Sequence, residues 1–302
     1  MWTGRSLLTM DGVDSGAARS LLDAAHRESW RGDELAGKVV ANLFFEDSTR
    51  TRVSFSMAAQ TLGAKVVDLT SKGSSVAKGE TLLDTAWTIE AMGVDAIVVR
   101  SGDSGVAELI DEHTQCAVLN AGDGTHQHPT QALTDALTIG RSLGLSDGWD
   151  FGGLRVAIVG DVVSSRVARS NVGLLTGLGA EVVLVGPPGM APSSLESMGC
   201  RVTSDFDSVL GECDAVMMLR IQFERGGGAT LASTREYHAR FGMNEGRLER
   251  MKDRAIVMHP GPMNRGVEIS ASVADGERSV VLEQVRGGVL VRQAAMAHAI
   301  GH

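Results

Sequence analysis

The chain is poor in aromatic residues, cysteine and proline. Aromatic side chains make up 4% of its 302 residues, with one tyrosine, six prolines and three cysteines. Cys116, Cys200 and Cys213 lie far apart, are odd in number and form no CxxC pair. That argues against a zinc site. They read as small buried apolar residues in a reducing compartment. No apolar run approaches the ~18 residues that a membrane span needs. The N-terminal "MWTGRSLLTMDGVDSG" lacks the continuous apolar core and cleavage pattern of a signal peptide. A soluble, cytoplasmic protein is therefore expected. Positive charge is also in deficit, the formal net charge being −9. Nucleic acid and anionic membranes are disfavoured as partners, because both need a basic face. An anionic ligand would have to be met by locally placed Arg and Lys.

What is present is a normal globular composition, 43% hydrophobic and 22% charged, in a chain long enough for about two domains. Tandem repeats and low-complexity segments are missing. A short apolar run, a polar turn and a helical pattern recur instead. The runs are "KVVANLFF", "AKVVDL", "VDAIVVR", "CAVLNAG", "LRVAIVG", "AEVVLVG", "CDAVMML" and "RAIVMH". Short and Val/Ile-rich, they suit strands buried on both faces. Alternation with amphipathic helices predicts an α/β fold with two domains, each a parallel sheet flanked by helices. The Gly- and Ser-rich stretch "IGRSLGLSDGWDFGGLR", residues 139–155, reads as the interdomain connection. "VLVRQAAMAHAIGH" reads as a final helix able to pack on either block.

The most informative stretch is "FFEDSTRTRVSF", residues 44–55. An apolar strand ends near Phe45 and gives way to Ser48, Thr49, Arg50, Thr51 and Arg52. Helical spacing follows, with Val53 and Met57 on one side, Phe55, Ala59 and Leu62 on another, and Gly63 as the C′ residue. Asp47 or Ser48 is the expected N-cap. The polar run thus occupies a helix N-terminus, where free N–H groups and the dipole favour an anion. Hydroxyls add donors, and Arg50 can grip a phosphate bidentately. A capped helix with solvated arginines is the bland alternative, but the donors exceed what capping needs.

Ligands of open α/β sheets bind beyond the carboxyl ends of the strands. The other strand ends present Arg100, His128 before Pro129 at a helix N1 position, Arg166, then Arg220, Gln222 and Arg225, and the turn Pro260-Gly261-Pro262. Singly, each is an ordinary surface or capping residue. Together they suit a small ligand with more than one anionic group. His128 at a helix N-terminus is expected to act as a neutral hydrogen-bond donor. "VAIVGDVVSSR" keeps Gly160 but lacks the second and third glycines of GxGxxG, and its partner strand ends in Gly186-Pro187, so NAD binding is disfavoured. The polar loop "TSKGSSVAKGETL" carries Ser74, Ser75 and Lys78. Composition leaves it open between a solvated loop and a lid whose lysine reaches a phosphate.

"FFEDSTRTRVSF", "SSVAKGETL", "NAGDGTHQHPTQALTD", "LRIQFER" and "MHPGPMNRGVEI" together resemble the catalytic chains of the aspartate carbamoyltransferase family. The likeness runs in order over essentially the whole chain, and the STRTR and HPTQ segments are specific to the carbamoyltransferase superfamily. The "HCLP" turn of the ornithine relatives is replaced by His-Pro-Gly-Pro at 259–262, and their Ser-Met-Gly signature is missing, which favours the aspartate branch.

The resemblance implies a carbamoyl-phosphate domain at 1–138 plus 288–302 and an aspartate domain at 139–287. Ser48, Thr49, Arg50 and Thr51 match phosphate ligands. Thr51, Arg100 and His128 match contacts to the carbamoyl oxygen. Gln131 and the Gly261-Pro262 turn match contacts to the carbamoyl amine. Arg166, Arg220 and Gln222 match ligands of the aspartate carboxylates. Ser74 and Lys78 match residues donated to a neighbouring subunit's site, so a homotrimer is implied, with dihydroorotase or regulatory chains as further partners in the family. Glu46, Arg166 and Arg225 match a network holding a closed state. Many relatives have Leu where Gly261 stands, which implies a more mobile turn, and the bond before Pro262 is a candidate for the cis form.

The implied chemistry is carbamoyl transfer from carbamoyl phosphate to L-aspartate, with no metal and no cofactor. Alternatives are another amine acceptor, a non-catalytic subunit of the same fold and a nucleotide-binding module. The retained Arg50, His128 and Lys78 argue against the second, the failed glycine pattern against the third.

Overall fold

Burial of the Val/Ile-rich runs on both faces draws them into two parallel sheets. In the computed structural model, which describes residues 4–70, 80–221 and 233–301, the chain forms two compact units. One comprises residues 1–134 with 287–302, the other residues 135–286. The division falls inside two helices, so the Gly- and Ser-rich residues 144–154 lie wholly in the second unit.

In the first unit, β1 (Val39–Phe44), β2 (Lys65–Thr70), β3 (Ala96–Ser101) and β4 (Ala117–Asp123) form a sheet of order β2-β1-β3-β4. Every pairing is parallel. Helices α1 (Ser15–Arg27), α2 (Thr49–Thr61), α3 (Leu82–Ala91) and α4 (Val106–His113) belong to this unit, and α5 (Pro129–Leu143) begins in it. The core joins Leu43, Ile97, Val99 and Val118 of the strands to Ala86, Ile89 and Ile110 of the helices.

The second unit has the order β7-β6-β5-β8-β9, from β5 (Arg155–Val159), β6 (Glu181–Val185), β7 (Arg201–Thr203), β8 (Ala215–Met218) and β9 (Ile256–Met258). Its pairings are parallel too. Helices α6 (Arg166–Gly177), α7 (Thr234–Phe241), α8 (Glu245–Leu248) and α9 (Ala271–Ala274) lie in this unit, and α10 (Val281–Ile300) starts here and ends in the first.

Each of the eight apolar runs becomes a strand, and β7 is an additional one. The final helix starts at Val281, well before the expected 289, and carries Gly287 and Gly288 inside it. Gly288 has a packing reason: a Cβ there would stand 2.5 Å from the Arg292 guanidinium. That group donates to the Gly288 carbonyl and lies over the Phe55 ring of α2, 4.9 Å from its centre.

All three cysteines are buried thiols outside any disulfide, and burial pushes Cys116 and Cys213 up to about 11. Among the described residues no helix is long and apolar enough to cross a membrane.

Candidate active site

Both sheets reverse their direction of strand addition, and the reversal opens a crevice at the carboxyl ends of the two strands that flank it. In the first sheet the chain moves outward from β1 to β2, then crosses to β3. The crevice lies between β1 and β3. In the second it moves from β5 out to β6 and β7, then returns to β8, so the crevice lies between β5 and β8. The cations read from the strand ends collect at these two places.

At the end of β1 the chain turns into α2 at Ser48, which is the N-cap by position. Its side chain does not cap the helix. The Ser48 hydroxyl donates to Thr51 Oγ1 at 2.9 Å. Thr49 and Arg50 are exposed at the helix start, and Thr51 is buried. The helix faces sort as the spacing predicts: Phe55, Ala59 and Leu62 are fully buried, Val53 and Met57 exposed.

Arg100, at the end of β3, reaches two ways. One Nη atom pairs with Glu46 at 3.1 Å, and the other donates to the carbonyl of Ala121 on β4 at 3.0 Å. Glu46 therefore holds Arg100 in this structure. The network expected for it, with Arg166 and Arg225, has Arg225 outside the described residues.

His128 is buried with 4% of its surface exposed, immediately before Pro129, the first residue of α5. Gln131 lies in the same first turn, its N–H donating to the His128 carbonyl at 2.9 Å. Sequence reasoning passed over Asn120 and Asp123. Their side chains form the framework of the turn that delivers His128. The Asp-Gly pair after a strand signalled a turn, but not that its carboxylate would be buried.

In the second unit Arg166 opens α6 after β5 and is 5% exposed, with Ser165 capping the helix through Ala168 N–H at 3.1 Å. Arg220 stands two residues past β8 and is half-buried. Gly160 lies between them. A Cβ on it would stand 3.0 Å from Leu219 Cβ and 3.3 Å from the Tyr237 hydroxyl. Its absence lets the exits of β5 and β8 close together, with φ at +139°, a conformation that side chains rarely adopt. Tight packing accounts for this glycine without a dinucleotide.

The turn after β9 is braced from below. His259 and Glu268 are both fully buried, and the imidazole Nε2 meets the Glu268 carboxylate at 3.1 Å. Nδ1 of His259 accepts from Gly261 N–H at 2.8 Å, which puts the proton on Nε2. Gln284 accepts from His259 N–H at 2.9 Å and donates to Asp135 at 2.8 Å. Asn264 links the turn to the Ile221 carbonyl, one residue past Arg220, at 3.1 Å. The Gly261–Pro262 bond is cis.

The structure thus places Ser48, Thr49, Arg50, Thr51, Arg100, His128 and Gln131 at or just past the carboxyl ends of β1, β3 and β4 in the first unit's sheet. It places Arg166, Arg220, Gly261 and Pro262 at the strand ends of the second. Ser74, Lys78, Gln222 and Arg225 lie outside the described residues.

Residues 5–141 match the family model described as the carbamoyl-P binding domain of aspartate/ornithine carbamoyltransferase. Residues 152–299 match the Asp/Orn binding domain of the same family. The chain is 56% identical over 296 residues to the aspartate carbamoyltransferase catalytic subunit of Myxococcus xanthus, covering 97% of this chain and 98% of that one. It is 51% identical to that of Acidothermus cellulolyticus over 304 residues, covering 98% and 93%. Among solved structures it resembles aspartate transcarbamoylase of Trypanosoma cruzi in complex with carbamoyl phosphate and aspartate, with a TM-score of 0.87 at 30% identity, covering 97% and 96%. It also resembles ornithine carbamoyltransferase of Thermus thermophilus, with a TM-score of 0.86 at 27% identity, covering 98% and 99%.

Proposed function

The chain belongs to the aspartate/ornithine carbamoyltransferase family, and we propose that it transfers the carbamoyl group of carbamoyl phosphate to L-aspartate in pyrimidine synthesis. The products are N-carbamoyl-L-aspartate and phosphate. The observation that carries the choice of acceptor is the pair of guanidiniums, Arg166 and Arg220, at the exits of β5 and β8. Two cations at one switch point suit a dicarboxylate and repel the side-chain ammonium of ornithine.

Ser48, Thr49, Arg50 and Thr51 would hold the phosphate at the start of α2, through backbone N–H groups, hydroxyls and the guanidinium. Thr51, Arg100 and His128 would surround the carbamoyl oxygen, with Gln131 and the Gly261-Pro262 turn on the carbamoyl amine. Arg166, Arg220 and Gln222 would orient aspartate. Its amine attacks the carbonyl carbon, a C–N bond forms, and negative charge moves onto the carbamoyl oxygen. The C–O bond to phosphate then breaks, and the departing phosphate takes the amine proton. The protein supplies proximity and an oxyanion site rather than a nucleophile. An alanine scan that uncovered one titrating side chain whose loss abolished the chemical step would overturn phosphate as the base.

Purified chain given carbamoyl phosphate should make carbamoyl-L-aspartate, and no citrulline when L-ornithine replaces aspartate. Citrulline as the main product, or no product from either acceptor, would remove the assignment.

A cytoplasmic homotrimer with shared sites belongs to the same proposal. Val53 and Met57 leave 46% and 51% of their surface exposed on one face of α2, and Val67 on edge strand β2 leaves 45%. Such a face suits a second copy of the chain. If Ser74 and Lys78 complete a neighbour's site, Lys78→Ala and His128→Ala trimers will each be nearly inactive. Mixed after dissociation, they will regain activity, because some sites then receive both native residues. Failure to recover in reassembled hybrids would place Lys78 in its own subunit's site. Partnership with dihydroorotase or regulatory chains would show as added mass only when those chains are supplied.

A further inference from the structure

We propose that Asp123 is the positioning residue that fixes Arg100 and His128 relative to each other. The inference rests on the reading of those two as donors to the carbamoyl oxygen. Asp123 ends β4 and is 1% exposed, yet its carboxylate is fully engaged. Oδ1 accepts from Asn120 Nδ2 at 2.8 Å and from Gln127 N–H at 3.0 Å. Oδ2 accepts from Gly105 N–H at 2.6 Å and stands 3.0 Å from His126 Nδ1.

These partners belong to two different turns. Gly105 is the N-cap of α4 and ends the loop that leaves β3 just after Arg100. Gln127 and His126 belong to the turn that leaves β4 and delivers His128. One carboxylate therefore ties together the exits of the two strands that carry the proposed oxyanion donors. The α4 N-terminus stabilises its charge. Backbone contacts reinforce the tie: Gly124 N–H donates to the Ser101 carbonyl at 3.0 Å. At Gly124, with φ +45°, a Cβ would stand 2.6 Å from Ser104 N, so the two turns meet backbone to backbone.

His128 is then confined on both sides. The residue before it, Gln127, is held by Asp123 twice, with its N–H on Oδ1 and its carbonyl accepting Asp123 N–H at 3.1 Å. The residue after it is Pro129, whose ring fixes φ. Glu108, at 3.8 Å from His126 Nδ1, adds a second carboxylate. Burial pushes the Glu108 carboxyl above its usual range, with Asp123 adding to the rise and His126 opposing it. Its contribution to holding His126 is secondary to that of Asp123.

An asparagine at 123 keeps the shape and the bond from its own N–H to the Gln127 carbonyl but replaces one acceptor oxygen with an NH₂ group. Whichever way it turns, that NH₂ faces N–H donors. The turns would shift relative to each other, while the phosphate grip at the start of α2 would stay in place.

Asp123→Asn should therefore lower kcat by about 10–100-fold, as a misplacement of about 1 Å does. KM for carbamoyl phosphate should change little. A purely structural anchor would show no such split. Glu90→Gln is the matched control, since Glu90 accepts from Gln115 and Cys116 N–H at the opposite end of β4. It should lower Tm and leave kcat unchanged. A kcat for Asp123→Asn no lower than that of Glu90→Gln, at equal folded fraction, would overturn the inference. Should Asp123→Asn not fold, His126→Ala removes one partner of the carboxylate and decides the matter. A reduced kcat with unchanged KM supports positioning, and wild-type kcat overturns it. His128→Ala run alongside separates the two levels. If it keeps full kcat, the oxyanion reading itself has failed, whatever Asp123 does.

Discussion

Truncating His128 to alanine will lower kcat for carbamoyl transfer by about 10²–10³-fold, about 2.7–4 kcal/mol of lost transition-state stabilisation. The magnitude follows from where the imidazole sits. It is 4% exposed, at the N-terminus of α5, next to the strand end that carries Arg100. Charge appearing on a carbamoyl oxygen bound there would be screened little by water, so a fixed donor would be worth far more than in solution. The phosphate would be gripped elsewhere, by Ser48 to Thr51, so KM for carbamoyl phosphate should move far less than kcat. Arg100 and Thr51 remain in the variant, so residual activity is expected. Steady-state kinetics at saturating aspartate, with a thermal melt to confirm the fold, make the check. A kcat close to wild type would take His128 out of the oxyanion site.

The strand ends were legible because parallel sheets bury both faces. A strand such as "LRVAIVG" then has no polar alternation, and its first polar residues mark its end sharply. Since ligands gather at carboxyl ends, the residues that follow the strands in turn single out Thr51, Arg100, His128, Arg166 and Arg220 as candidates. Strand β7 escaped because Arg201–Thr203 is three residues long, partly exposed and at a sheet edge. The start of α10 is hidden in the sequence because Gly287 and Gly288, weak helix formers, stand inside it. Gly288 has a tertiary reason, room for the Arg292 guanidinium.

The buried carboxylates were the larger gap. Asp123, Asp135 and Glu268 look like surface or turn residues in a sequence, since Asp and Glu are almost never fully buried unless paired. What makes their burial tolerable is a set of donors from distant positions. Gln284 lies 149 residues from the Asp135 carboxylate it reaches. Asp123 gathers N–H groups from two loops. No local pattern encodes such a meeting. The residues proposed to touch substrate follow strand ends and can be read one at a time, whereas those that hold them in place depend on several segments at once.

Arg247→Met will cost about 3 kcal/mol of stability, the low end for three orphaned acceptors, since each one left without a donor costs about 1–3 kcal/mol and two of the three are partly open to water. Arg247 is 6% exposed and is the buried residue of the short helix α8. Its guanidinium donates to the carbonyls of Ala239 at 3.0 Å, Arg240 at 2.8 Å and Gly242 at 2.6 Å. These are the free carbonyls at the C-terminus of α7, where a cation also meets the negative end of the dipole. The same group lies over the Phe206 ring at 5.3 Å and holds Asp207 at 3.0 Å. Methionine keeps most of the apolar stem and removes every donor, so the loss isolates the polar role. In a unit of about 150 residues, 3 kcal/mol corresponds to a fall in Tm of roughly 6–12 °C. Acid should narrow the gap. The hydrogen bond from Arg247 holds the Asp207 carboxyl below its usual range. A carboxyl lowered in the folded state adds stability above the unfolded value, about pH 3.9, and loses it as pH falls through the folded one. Asp207 is 45% exposed, which keeps this part small. Most of the deficit should therefore persist at pH 3, because carbonyls do not titrate. A variant that melted with the wild type at pH 7 would mean that water satisfies the end of α7. A deficit that vanished wholly in acid would mean that the Asp207 pair, and not the carbonyls, carried it.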